Sequence, residues 1–157
     1  MKTIINFPFR FLSFLVISVA FAGLTSCDKE DDNNGMYTIS GNSSGSQMVP
    51  SVNGTATGTI AGNYNANTNV FTYTMAWTGL SAAASTAAFY TGTAGTNGTL
   101  FENATITTSG STGASVGTVT LTDAEETALL NGSMYYVVGT SNNVNGEIRG
   151  QITATAQ

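Results

Sequence analysis

Between Val70 and Thr78 the chain alternates without a fault. Phe71, Tyr73, Met75 and Trp77 fall on one side, and Thr72, Thr74 and Ala76 on the other. A period of two built from aromatic and β-branched residues marks a half-buried strand, because a helix would scatter these large side chains around its whole circumference. Just upstream, residues 55–64 repeat the pattern: Ala56, Gly58, Ile60, Gly62 and Tyr64 share one face, and Thr55, Thr57 and Thr59 the other. Asn65-Ala66-Asn67-Thr68-Asn69 separates the two runs, and an Asn-rich loop of that length between alternating segments predicts a hairpin.

Shorter segments of the same kind fill the remainder. Residues 36–41 read as a strand followed by a Ser/Gly-rich loop to Pro50. Further strands are expected near 86–91, 99–107, 115–121, 133–140 and 144–155, with turns at Gly79-Leu80, at residues 92–98 and at Ser141-Asn142-Asn143. One helix interrupts them. Thr122-Asp123-Ala124-Glu125 has the form of a capping box and Gly132 suits the position beyond the last turn, with Leu129 and Leu130 facing the core. Short strands with turn signals at this spacing predict an all-β domain, an antiparallel sandwich or Greek-key barrel with one short helix.

The chain begins differently. Lys2 and Arg10 form a positive region ahead of an apolar stretch, residues 11–24, that falls short of the roughly 20 residues a spanning helix needs. It ends in Leu24-Thr25-Ser26-Cys27, which resembles the bacterial lipobox: a branched apolar residue, two small ones, then Cys. The resemblance implies removal of residues 1–26 as a lipoprotein signal peptide and acylation of Cys27. Diacylglycerol and palmitate-type chains, at about 0.8 kcal/mol per buried methylene, then anchor the chain to the membrane. Residues 27–35 form the lipidated Cys and an acidic tether, and residues 36–157 the domain. Asp28-Lys29-Glu30-Asp31-Asp32 also resembles the Lys-acidic export signal of bacterial surface lipoproteins; a solvated spacer is the alternative. The expected location is the outer membrane, lipid-anchored, with the domain at the cell surface, or facing the periplasm if the acidic run is only a spacer.

Composition narrows the chemistry. Within residues 36–157 the charged side chains are Glu102, Asp123, Glu125, Glu126, Glu147 and Arg149: one cation against five carboxylates, net −4. A domain with a single Arg cannot lay a basic stripe along phosphates, so nucleic acid is excluded as a partner class. The whole chain has one Cys and no His, so no intrachain disulfide framework forms and the commonest metal ligand and general base is missing. Ser and Thr abound without a His or a domain Lys to activate them, and three of the carboxylates sit in the first helical turn, where the helix dipole accounts for them. Neither catalytic residues, nor a metal, nor a cofactor are expected; the chain reads as a non-enzyme.

Gln47-Met48-Val49-Pro50, YNANTNVFTYT at residues 64–74, Thr78-Gly79-Leu80-Ser81, Thr118-Val119-Thr120-Leu121-Thr122 with the helix, Tyr135-Tyr136-Val137-Val138 and Gly146-Glu147-Ile148-Arg149-Gly150-Gln151 follow one another in an order that resembles the CHRD domain family. The resemblance spans about residues 37–153. It implies an immunoglobulin-like sandwich reminiscent of copper-zinc superoxide dismutase, in a family without an agreed biochemical activity. The family's His-x-His-Gly segment is replaced here by Phe89-Tyr90-Thr91-Gly92, and a further family His by Gly139. Dismutase-like metal chemistry is therefore not expected.

Six residues stand out as candidates for ligand contact. Phe89, Tyr90, Tyr135 and Tyr136 form two adjacent pairs, and alternation turns one of each pair outward, where exposed aromatics suit a glycan or protein partner. Glu147 and Arg149, two apart on a strand, share a face and are expected to tie strands through one another or to hold a ligand. Trp77, within its stripe, belongs to the core. The expected function is a membrane-anchored extracytoplasmic binding or structural module; the alternative is a degenerate member of a once metal-binding or catalytic family, now a subunit of an envelope complex.

Overall fold

Asn69 closes the central hairpin. Its φ of 58° is a left-handed turn conformation that Asn tolerates, and Asn65 Oδ1 accepts from Asn67 N at 2.9 Å inside the same turn. The computed structural model describes residues 35–157, so the leader, Cys27 and the tether up to Asn34 lie outside the described residues. Strand β2 (Thr57–Asn65) pairs with β3 (Val70–Thr78) residue for residue, but is itself preceded by β1 (Met36–Ser44), which pairs along β2's other edge. Phe71, Tyr73, Met75 and Trp77 are all buried, as their alternation requires.

The other strands extend this hairpin into one antiparallel sheet. In chain order they are β4 (Ala84–Thr91), β5 (Thr99–Asn103), β6 (Ile106–Thr108), β7 (Gly113–Thr120), β8 (Met134–Thr140), β9 (Ile148–Gln151) and β10 (Thr153–Ala156). Hydrogen bonds link them as β5-β4-β8-β9-β1-β2-β3-β7-β6, with β10 also on β1. The sheet curls until its halves face each other: Phe89 on β4 meets Phe71 and Tyr73 on β3 with centroids 5.5 and 4.8 Å apart. Ala84 N donates to Gly110 O at 3.1 Å and Ala104 N to Ala87 O at 2.8 Å, stitching the free edges together. The result is the expected all-β, sandwich-like fold with one short helix.

Two predicted strands are each two. Residues 99–107 divide at Ala104-Thr105, so that β5 pairs β4 at one edge of the sheet and β6 pairs β7 at the other. Residues 144–155 begin their pairing only at Ile148 and break at Ile152, whose amide donates to Met134 O at 2.8 Å while its side chain is fully buried. There the chain leaves β8, which pairs β9, and continues on β1, which pairs β10; such a partner switch makes the corner of a sandwich. Strand β1 also runs past Gly41 to Ser44 before a 3-10 turn at Gly45–Gln47.

Helix α1 (Asp123–Leu130) starts on the expected capping box. Thr122 N donates to Glu125 Oε2 at 2.8 Å, and Glu125 N to Thr122 Oγ1 at 3.4 Å. Leu129 is buried, whereas Leu130 is exposed rather than core-facing, because two turns present one narrow stripe to the sheet.

Candidate functional site

Strands β4, β8 and β9 lie side by side, so alternation sorts their residues onto the same two faces. Phe89 lies opposite Tyr136, Tyr90 opposite Tyr135, and Arg149 opposite Val137. One of each aromatic pair faces outward as expected, but Phe89 and Tyr136 are the inward members, fully buried in the main core, which removes them from the candidates for ligand contact. Tyr90 and Tyr135 turn outward. Tyr90 is half-buried; Tyr135 is only 3% exposed, because two loops fold over this outer face. One follows β1 and contributes Met48 and Val52 to a small second cluster with Tyr135, Val137 and Tyr90. The other joins β4 to β5 and donates Gly98 N to Tyr135 Oη at 2.9 Å.

The outer face carries a three-layer stack. The Tyr90 and Tyr135 rings are 5.1 Å apart and 8° from parallel, and Arg149 Cζ lies 3.5 Å from the centre of Tyr135. Since β8 runs between β4 and β9, Tyr90 and Arg149 reach Tyr135 from opposite sides. Arg149 is 2% exposed, and it donates through Nη1 to Thr96 O at 2.7 Å and through Nη2 to Thr93 O at 2.9 Å. Gln151 Nε2 adds Gly92 O at 2.9 Å, so the β4–β5 loop is pinned from below by two side chains of β9. Burial pulls the Arg149 guanidinium down from its usual value and the Tyr135 ring opposes this; it remains a cation.

Glu147 stands apart from it. The expected tie between these two residues is absent: each has partners of its own. Glu147 Oε1 accepts from Ser81 N, and Oε2 from Ser81 Oγ and Thr140 Oγ1, each at 2.7 Å, with Asn143 Nδ2 at 3.1 Å. Burial raises its pKa, but these hydrogen bonds to the charged form prevail and hold it below the ordinary value. Glu147 thus locks the turn after β3 to the end of β8. Gly146, at φ 119°, ends the preceding turn, and Glu147 lies before β9 begins at Ile148, so the spacing of two is not one within a regular strand.

Over the Tyr–Tyr–Arg stack lies a cavity of about 540 Å³. Tyr90, Tyr135, Val137 and Arg149 line it together with Met48-Val49-Pro50, Asn97-Gly98 and the turn from Asn142 to Gly146. A smaller cavity of about 180 Å³ shares Met48, Val49 and Arg149 with it. Four of the six sequence candidates are therefore around this place: three line the cavity, and Glu147 follows the turn at its rim, while Phe89 and Tyr136 are core. Met48, Asn97 and Asn145 were missed, because only the folding of three separate loops brings them here. Another cleft, of about 460 Å³, lies over β1–β3 and is lined by Thr, Ala, Gly, Asn, Ser and Trp77 without an ionisable group.

A family model of the CHRD domain matches residues 39–152. The chain belongs to the CHRD domain family. No curated protein and no solved structure matches it. In this CHRD domain the three positions at which the resemblance places histidines do not converge. Phe89 lies in the inner core opposite Tyr136, and Thr91 lies opposite Met134 at the strand's end. Gly139 is opposite Thr86, where a Cβ would lie 2.5 Å from Thr86 Oγ1. Among the described residues, no group of three His, Cys, Asp or Glu side chains is placed to hold a metal ion, and no helix is long and apolar enough to cross a membrane.

Proposed function

We propose that this chain is a lipid-anchored, non-enzymatic binding module of the cell envelope, which takes its ligand in the cavity over Tyr90, Tyr135 and Arg149. The cavity carries the reading. Its volume of about 540 Å³ lies within the range of roughly 300–1,000 Å³ common to small-molecule sites, and it combines an aromatic and apolar floor with a few convergent polar groups. Catalysis lacks the parts it would need: residues 35–157 contain no His, Lys or Cys, and the one carboxylate near the cavity, Glu147, already accepts four hydrogen bonds. The lipobox-like Leu24-Thr25-Ser26-Cys27 supports anchoring through Cys27, and the acidic run after it supports export to the cell surface.

Three measurements test this. Labelled palmitate should enter the wild-type chain and not Cys27→Ala; equal labelling of both would remove the anchor. Protease added to intact cells should digest the domain; full protection would place it on the periplasmic side. A glycan array and an envelope pulldown should give a partner whose capture is lost in Tyr90→Ala, and a blank from both would defeat the binding reading.

A further inference from the structure

We infer that the cavity is a receptor for a carboxylate on an acidic saccharide, with Arg149 as the anion contact. This rests on the binding-module reading and names its ligand class. Arg149 is the only cation in residues 35–157, yet it is almost fully buried beneath the cavity instead of sitting on the surface. A buried charge is costly unless an opposite charge meets it. Among the described residues, the guanidinium is met only by two neutral carbonyls and the face of Tyr135. Glu147, two residues away, would be the obvious counter-ion, but Ser81, Thr140 and Asn143 hold it elsewhere. Among the described residues the lone positive charge thus has no carboxylate partner, and it lies at the boundary of both adjoining cavities.

The remaining chemistry selects the partner. A guanidinium has five N–H donors in a planar fork, and Arg149 gives two of them to the loop. The rest suit the two oxygens of a carboxylate. One cation in a domain of net charge −4 favours a monoanion over a phosphate dianion. Around it, the half-buried Tyr90 offers a ring face, and Asn97 and Asn145 line the wall with amide groups of the kind that pair with sugar hydroxyls, although Asn97 Nδ2 also donates to Val49 O at 2.9 Å.

The test is calorimetry on the mature lipoprotein in nonionic detergent, titrated with digalacturonate, its dimethyl ester and a short peptide with a free C-terminus. Digalacturonate should bind saturably, and the ester, which keeps the rings and loses the charge, at least tenfold more weakly. Arg149→Gln should lose binding by a similar factor. If that variant fails to fold, the acid-against-ester comparison on wild-type protein still decides. Equal binding of acid and ester overturns the role of Arg149. Binding of the peptide with neither sugar overturns the saccharide assignment. A neutral glycan captured in a Tyr90-dependent way, with no digalacturonate binding, overturns this inference and leaves the binding module standing. Silence from every probe, array and pulldown overturns both.

Discussion

The two faces of the β4–β8–β9 strands are made from the same materials and end in opposite conditions. On the inner face Phe89 and Tyr136 are surrounded by apolar side chains; Phe89 touches Phe71, Tyr73 and Phe101. On the outer face Tyr90 and Tyr135 touch each other, one cation and a cavity. The inner aromatics are covered by the other half of the sheet, which the strand pattern itself provides. The outer ones are covered by loops, and loops leave gaps. Aromatic content alone therefore does not separate core from site; what covers each face does.

Adjacent residues make the sharpest test of that contrast. Phe89→Ala should lower the unfolding free energy by about 3–5 kcal/mol, the range for a large aromatic removed from a packed interior. Tyr90→Ala, one residue on and half-buried beside a cavity that already exists, should cost about 1 kcal/mol. Urea denaturation of both variants measures the pair, and equal losses would mean that the outer face is a second core.

The loop-bound carboxylate gives the next largest effect. Glu147→Gln keeps the shape but weakens charge-assisted bonds to Ser81 and Thr140, and should cost about 1.5–3 kcal/mol. The pH dependence follows from the sign of its shift. A carboxyl whose folded pKa lies below its ordinary 4.5 contributes stability that is present above that pH and is lost as pH falls through the folded value. Thermal melts of the wild type should therefore decline below about pH 4.5, and Glu147→Gln should show a flatter decline. Parallel curves would place the shift on another carboxyl.

Much of the inner face was legible in the sequence because its signals are local. The period of two over Val70–Thr78 needs no knowledge of partners, and the capping box at Thr122 and Glu125 lies within four consecutive residues. The break at Ile152 was not legible, since Gln151-Ile152-Thr153 continues a strand-like alternation while the hydrogen bonds change from β8 to β1. Nor was the division at Ala104-Thr105, which depends on both sheet edges coming close. The site suffered most. Alternation turned one of each aromatic pair outward, as observed, but it did not say which, and whether that face meets water, loop or cavity depends on where residues 45–52 and 92–98 settle. Glu147 and Arg149 looked like partners at a spacing of two, but Glu147 lies just before β9, and each side chain takes partners of its own.

A local signal should have a local energy. Thr122→Ala removes the Oγ1 acceptor for Glu125 N and half of the capping box, and should cost about 1 kcal/mol in urea denaturation. Because the helix touches the sheet mainly through Leu129, the change should leave ligand capture unaffected. A parallel loss of capture would connect the helix to the outer face through the turn after it, where Gln151 Nε2 donates to both Gly132 O and Gly92 O.

The smallest effect belongs to the inner face and concerns a hydroxyl rather than a ring. Tyr136 Oη is buried, and among the described residues it has no partner in hydrogen-bonding geometry; Ser43 Oγ, close by, is in the same position. Burial pushes the Tyr136 phenol up to about 12, with the Ser43 hydroxyl opposing the shift. Replacing both members of such a pair by apolar groups is close to neutral. Tyr136→Phe with Ser43→Ala should therefore change stability by less than about 1 kcal/mol, far below Phe89→Ala although both rings are fully buried. The alkaline limb supplies the sign. A phenol whose folded pKa is raised contributes stability below its ordinary 10.0 that is lost as pH climbs towards about 12, so Tyr136→Phe should flatten that limb. A loss of several kcal/mol in the double variant would show that the hydroxyls hold the inner face together, and the contrast between an apolar interior and a polar exterior would fail at Tyr136.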